Sequence, residues 1–205
     1  MPKYQTDDTE YTDAATGVLK NKLNIRDAQE LENAERDISI MRSLHIAMYP
    51  VEGQFDLAHL QAIHRKLFGD IYTWAGECRH IDIIKGNSRF AHHQYIGSFC
   101  ADVAAKLKKE HYLKDLPPQT FSERAAYYMG EFNAAHPFRE GNGRALRAFF
   151  SQLAAQNGYQ IHWKNISQAE MVQASIAAFN GNHHILAALI SANVAAVSIE
   201  PEQAV

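Results

Sequence analysis

The run His136-Pro137-Phe138-Arg139-Glu140-Gly141-Asn142-Gly143-Arg144-Ala145-Leu146-Arg147 holds the densest chemistry in the chain, and it fixes the local fold. Pro137 disfavours helical geometry in the residue before it, so a helix arriving from upstream stops at His136. Two glycines then let the backbone turn sharply and crowd its N–H groups together. A new helix opens near Asn142 or Gly143, and its first N–H groups lack intrahelical partners. Those donors and the helix dipole suit an anion. No GxxxxGK[ST] occurs anywhere in the chain, so this is a phosphate cradle without a Walker lysine.

The side chains point the same way. Arg144 and Arg147 stand three apart and share a helix face. Paired guanidinium groups suit a polyphosphate. Glu140 offers a hard carboxylate oxygen of the kind that holds Mg²⁺ against phosphates. His136, at the loop entrance, can take a proton from an incoming hydroxyl. Phe138 reads as an apolar anchor for the loop. Singly, each has a commonplace reading: a histidine cap, a surface ion pair of small worth, an Asn-Gly turn. Their joint spacing instead describes attack on a nucleotide phosphate.

Outward from this segment the pattern is helical, and the fold class expected is all-α. Leu31, Ala34, Ile38, Met41 and His45 recur at three- and four-residue steps and predict a helix over 27–48. Asp56 can cap a second helix carrying Leu57, Leu60, Ile63 and Leu67. Ile96, Phe99, Val103 and Leu107 mark a third over 95–110. Thr120 and Glu123 have capping-box spacing for a helix running to 135, as do Ser167 and Glu170 for one over 168–179. The motif helix ends before Asn157-Gly158, and a last helix covers 183–197. One stretch resists: Arg79 to Ile84 is rich in β-branched residues and reads as a strand, with Lys85-Gly86-Asn87-Ser88 as a turn and Arg89-Phe90-Ala91 returning. A lone hairpin has a free edge on which a partner's backbone can dock.

Composition excludes several classes. Hydrophobic residues make up 46% of the 205, enough for a core, yet no apolar run reaches membrane-spanning length. A net charge of −3 disfavours a general nucleic-acid binder. The N-terminus lacks a secretory signal, so a cytoplasmic location is expected, although export by a machine that reads other signals would leave the same sequence. Cys78 and Cys100 have no metal-type spacing. His92-His93 and His183-His184 are adjacent pairs, and neighbouring side chains point in different directions. Without an HExxH or Cys-rich partner they predict no structural zinc site.

Residues 136–147 resemble the signature of the Fic family, H-x-F-x-(D/E)-G-N-G-R-x-x-R, at every specified position. Tyr72-Thr73-Trp74-Ala75-Gly76, Ile81-Asp82-Ile83 and Leu60-Gln61-Ala62-Ile63-His64 also look like Fic domains, and residues 16–23 with the helix after them look like the start of bacterial Fic toxins. The resemblance implies a helical bundle with one β-hairpin flap: residues 1–55 an N-terminal segment of the module, 56–197 the core, 198–205 a tail. It implies an adenylyltransferase that moves AMP from ATP to a Tyr, Thr or Ser hydroxyl of a target protein. His136 would be the base, Glu140 the Mg²⁺ ligand, and Gly141, Asn142 and Gly143 the anion hole. Arg144 and Arg147 would bind the β- and γ-phosphates, and Phe138 would complete the nucleotide loop. Ile83, Ile84, Lys85 and Gly86 would form the flap that registers the target.

Many Fic proteins carry an inhibitory helix, (S/T)-x-x-x-E-(G/N). The nearest case here, Ala28 to Asn33, has Ala at the first position, so the resemblance implies a separate small antitoxin whose Glu reaches Arg147. Type II topoisomerase subunits, of gyrase or topoisomerase IV, are the implied targets. Two rivals stand beside this reading. One is a Fic-fold transferase of UMP, phosphocholine or a phosphoryl group. The other is a non-catalytic nucleotide-dependent binding module.

Overall fold

Side-chain caps set the starts of the helices that begin at Ala28, Leu57 and Gln168. Asp27 accepts the amide of Glu30 (2.8 Å) and opens α1, Ala28–Met48; Asp56 accepts that of His59 (2.9 Å) and opens α2, Leu57–Phe68. A computed structural model of the chain describes residues 8–86 and 88–197. The tail expected at 198–205 and the turn residue Asn87 lie outside the described residues. After a β-hairpin, β1 (Ile84–Lys85) and β2 (Ser88–Arg89), come α3 (Ile96–Lys109), α4 (Pro118–Ala135), α5 (Asn142–Gln156), α6 (Gln168–Phe179) and α7 (His184–Asn193). Ser167 and Glu170 form the reciprocal capping box that opens α6.

Helices α4 and α5 form the centre. Phe121, Phe132, Phe149 and Phe150 are fully buried between them and their neighbours. Helices α3, α6 and α7 pack on α4, while α1 and α2 pack on α5. The described part of the N-terminal segment shares this core through Tyr11, Val18, Leu31 and Ile46. Tyr11 meets the Trp74 ring edge-on, at 5.6 Å. No helix among the described residues is long and apolar enough to cross a membrane.

Four local expectations differ. Helix α4 starts at Pro118, where a missing N–H costs nothing, and Glu123 accepts from the Gln119 amide instead of closing a box with Thr120. The last helix stops at Asn193, and β4 (Val194–Ala196) pairs antiparallel with β3 (Tyr159–Ile161), so a second two-stranded sheet accompanies the flap. The strand expected from Arg79 shrinks to Ile84–Lys85, because Arg79 and Ile81 are engaged in holding the flap's foot. On α1 the buried face is Leu31, Glu35, Ser39 and Ile46, and Met41 is exposed.

Candidate active site

The turn between α4 and α5 is held from four sides. His136 caps α4 in the left-handed region, φ 44°, which redirects the chain at Pro137. Asn142 then closes the loop on itself: its Oδ1 accepts the Phe138 amide at 2.9 Å and its Nδ2 donates to the Phe138 carbonyl at 2.7 Å. Phe138 is buried and stacks on His64, with ring centroids 3.8 Å apart. His64 Nδ1 accepts the Gly76 amide (2.9 Å), which leaves Nε2–H to donate to the Glu140 carbonyl (2.9 Å). This double role requires a neutral ring, and burial pushes the His64 pKa down to about 3. From outside, the Asp8 carboxylate pairs with Arg139, and both side chains are buried.

Gly141 is irreplaceable on two counts. Its φ is +82°, and an added Cβ would lie 2.4 Å from the Phe68 ring. Gly141→Ala is expected to lower unfolding stability by about 2 kcal/mol, read from urea denaturation, since the ring must shift in a close-packed core. Gly143, by contrast, is exposed on the first turn of α5. Its Cβ position meets only the Arg147 guanidinium, at 3.7 Å. The open side of the helix N-terminus is therefore clear for an anion's approach.

The two motif arginines differ. Arg144 lies over the Phe68 ring (4.7 Å), pairs with Glu35 and donates to Ser39 Oγ (3.2 Å). Glu35 also accepts the Tyr72 hydroxyl. Arg144 thus ties the motif to α1. Arg147 is half-buried and forms no hydrogen bond or ion pair among the described residues. Burial, and then the charge of Arg144, lower its pKa, yet a guanidinium stays charged. It lines a cleft together with Gly143, Asn133, Met171 and Ser175.

His136 is 6% exposed and lies flat on Phe90, with centroids 3.8 Å apart. Its Nδ1–H donates to the Asn133 carbonyl (3.2 Å), which makes Nε2 the basic nitrogen. Burial, with Lys85 and Arg79 adding positive charge, pushes its pKa down to about 3. Phe90 comes from the flap, so the flap covers the imidazole. Ile83 is fully buried beside Phe90 and anchors the flap, whereas Ile84 is half-buried and Lys85 and Gly86 are exposed.

Arg79 joins the two parts. It is buried and donates to the carbonyls of His136 (2.9 Å), Ala135 (3.3 Å), Ile81 (2.6 Å) and Ala91. Both feet of the flap and the end of α4 are therefore fixed by one side chain. No role at the site was assigned from sequence to Arg79, Glu35, His64 or Tyr72. Glu35 and Ser39, four apart on an otherwise apolar helix face, were a readable signal, because a buried carboxylate implies a buried cation.

Glu140 is 9% exposed, beside the glycine turn, and its Oε1 accepts the Gly141 amide (3.0 Å) with Arg144 at 3.5 Å. One hard carboxylate next to an anion cradle fits Mg²⁺, which keeps several waters and shares phosphate oxygens.

What this fold and turn define is an enzyme of the protein adenylyltransferase class. The chain belongs to the Fic/DOC family, whose pattern matches residues 54–154. It is 46% identical over 194 residues to the protein adenylyltransferase VbhT of Bartonella schoenbuchensis, covering 95% of this chain but 41% of that protein's length. It is 42% identical to the "Probable protein adenylyltransferase Fic" of Escherichia coli (strain K12), covering 77% of this chain and 78% of that one. Among solved structures, BepC of Bartonella tribocorum with bound AMPPNP matches with a TM-score of 0.85 at 27% identity, covering 92% of this chain and 97% of that one.

Proposed function

We propose that this chain transfers AMP from Mg²⁺-bound ATP to a Tyr, Thr or Ser hydroxyl of a protein docked on the flap. The observation that carries the reading is Arg147: a half-buried guanidinium with no hydrogen-bond or ion-pair partner among the described residues, on a cleft beside an open helix N-terminus and a neutral, buried imidazole. An uncompensated buried cation is costly unless a ligand completes it. A triphosphate does so.

The amides at the start of α5 bind phosphate oxygens, and Arg147 holds the far end of the triphosphate. Glu140 would hold Mg²⁺, which supplies charge neutralisation on the phosphates. Arg144, paired with Glu35, sets the position of the α5 N-terminus more than it binds. The exposed β1 edge registers the target backbone so that its hydroxyl faces His136 Nε2. His136 takes the hydroxyl proton as the oxygen bonds to the α-phosphorus. The bond from that phosphorus to the bridging oxygen breaks, and pyrophosphate leaves. Positioning and charge stabilisation carry most of the acceleration.

Arg147→Ala is expected to raise KM for ATP by about 10–100-fold, the worth of a charge-assisted bond. Thermal stability should be unchanged or higher, because the guanidinium has no hydrogen-bond or ion-pair partner among the described residues to lose. Steady-state kinetics and a melting curve check both; an unchanged KM would remove Arg147 from nucleotide binding.

For the target we propose the ATPase subunits of type II topoisomerases, gyrase and topoisomerase IV, acting in the cytoplasm. For control we propose a separate antitoxin whose Glu enters the cleft and pairs with Arg147. Among the described residues α1 supplies Glu35 to Arg144 and nothing to Arg147. Incubating the enzyme with each subunit and α-labelled ATP tests the first; growth on expression of the chain alone tests the second, normal growth at full protein level counting against it.

A further inference from the structure

The adjacent histidines His92 and His93, which make no chelate on their own, meet a carboxylate in the folded chain. Asp82 stands at the foot of the flap. Its Oδ2 lies 3.4 Å from His92 Nε2 and its Oδ1 lies 3.0 Å from His93 Nδ1. All three donor atoms fall within 4.8 Å of one another. In a tetrahedral site with bonds of about 2.0–2.1 Å, donors sit about 3.4 Å apart. The Asp82–His92 pair already has that spacing, and His93 Nδ1 lies 3.0 Å from the other carboxylate oxygen.

Three features favour a site over a chance cluster. The imidazoles stack, with centroids 4.5 Å apart and planes 27° apart, so both rings stand side by side against the same carboxylate. Asp82 Oδ1 also accepts the backbone amide of His93 (2.9 Å), which orients the carboxylate as a supporting bond to a ligand does. His92 is partly exposed, leaving room for water at the fourth position. Arg79 Nη1 lies 3.7 Å from Asp82 Oδ1 and works against a cation there, but Oδ2 is the oxygen that faces His92.

We propose that Asp82, His92 and His93 form a binding site for a first-row transition-metal dication, with Zn²⁺ as the probe, clasping the foot of the flap to the start of α3. Two imidazole nitrogens and one carboxylate suit Zn²⁺ or Co²⁺ and not Mg²⁺, which favours oxygen. The site is therefore separate from Glu140 in place and in chemistry. On binding, each imidazole presents a lone pair to the ion: the ring proton of His93 moves from Nδ1 to Nε2, and that of His92 moves from Nε2 to Nδ1, which gives up the Gln94 amide it accepts at 3.3 Å. The clasp closes the segment that carries β1, β2 and Phe90.

The test is titration of the metal-free full chain with Zn²⁺, read by calorimetry, and with Co²⁺, read by the visible absorption of a tetrahedral ion. The expected result is one ion per chain, with affinity at least about tenfold weaker in His92→Ala and in Asp82→Asn, and unchanged in Glu140→Gln. Amide hydrogen exchange over residues 81–93 should slow on Zn²⁺ addition in the wild type only. His92 is exposed enough that its replacement leaves the fold intact, which a matching melting curve verifies. Absence of binding, or equal affinity in wild type, His92→Ala and Asp82→Asn, overturns the proposal. Loss in Glu140→Gln alone overturns it too, by assigning the ion to the nucleotide loop.

Discussion

Replacing His136 with Ala lowers the rate of AMP transfer by about 10²–10⁴-fold, the usual contribution of a positioned general base. ATP affinity should change less than about twofold, because the ring donates to a backbone carbonyl and stacks on Phe90, and the phosphate contacts come from α5 and Arg147. The environment of the imidazole suits the proposed role of base. Burial and the nearby Lys85 and Arg79 charges keep it neutral, ready to accept a proton at Nε2. A bound triphosphate opposes those charges and raises its proton affinity when the hydroxyl arrives. For kcat/KM, which reports the free enzyme, this group therefore sets no acid limb near pH 6.5. Single-turnover kinetics separate the two effects. A variant that lost ATP binding and kept the chemical rate would show that His136 is structural.

Acidification should destabilise the fold steeply. His64 and His136 are both held at a pKa of about 3 in the folded chain, whereas an unfolded histidine titrates near 6.5. Between those values the unfolded state binds more protons, so stability is fully present above about pH 6.5 and is lost as pH falls. From about pH 7 to about pH 5 each ring contributes a loss of about 2 kcal/mol, or about 4 kcal/mol together. Burial lowers the pKa of His59 as well, which adds in the same direction. Urea unfolding at the two pH values gives the slope. His136→Ala should remove about half of this two-ring loss; an unchanged slope would mean that the ring takes up its proton in the folded state as readily as in the unfolded one.

The sequence made the turn legible because its chemistry is local. Pro137, the glycines and the cap residues Asp27, Asp56 and Ser167 act within a few residues of themselves, and their geometry follows from their side chains. The parts that did not show depend on distant partners. Residues 194–197 are apolar and small, and helix and strand patterns coincide there; pairing with Tyr159–Ile161 makes Val194–Ala196 a strand. Arg79 looked like a strand residue, since nothing nearby shows that its guanidinium will serve carbonyls from both the flap and α4. The two motif arginines looked equivalent by spacing. Glu35, over a hundred residues upstream, pairs with Arg144, and Arg147 has no ion-pair partner among the described residues.

The most direct measurement is to incubate the purified chain with a target-containing lysate and ATP labelled at either the α- or the γ-phosphate, beside His136→Ala. The account predicts protein-bound label from the α position only, released by none of the usual denaturing washes and absent with the variant. Label from the γ position alone, or equal labelling by wild type and variant, would contradict it.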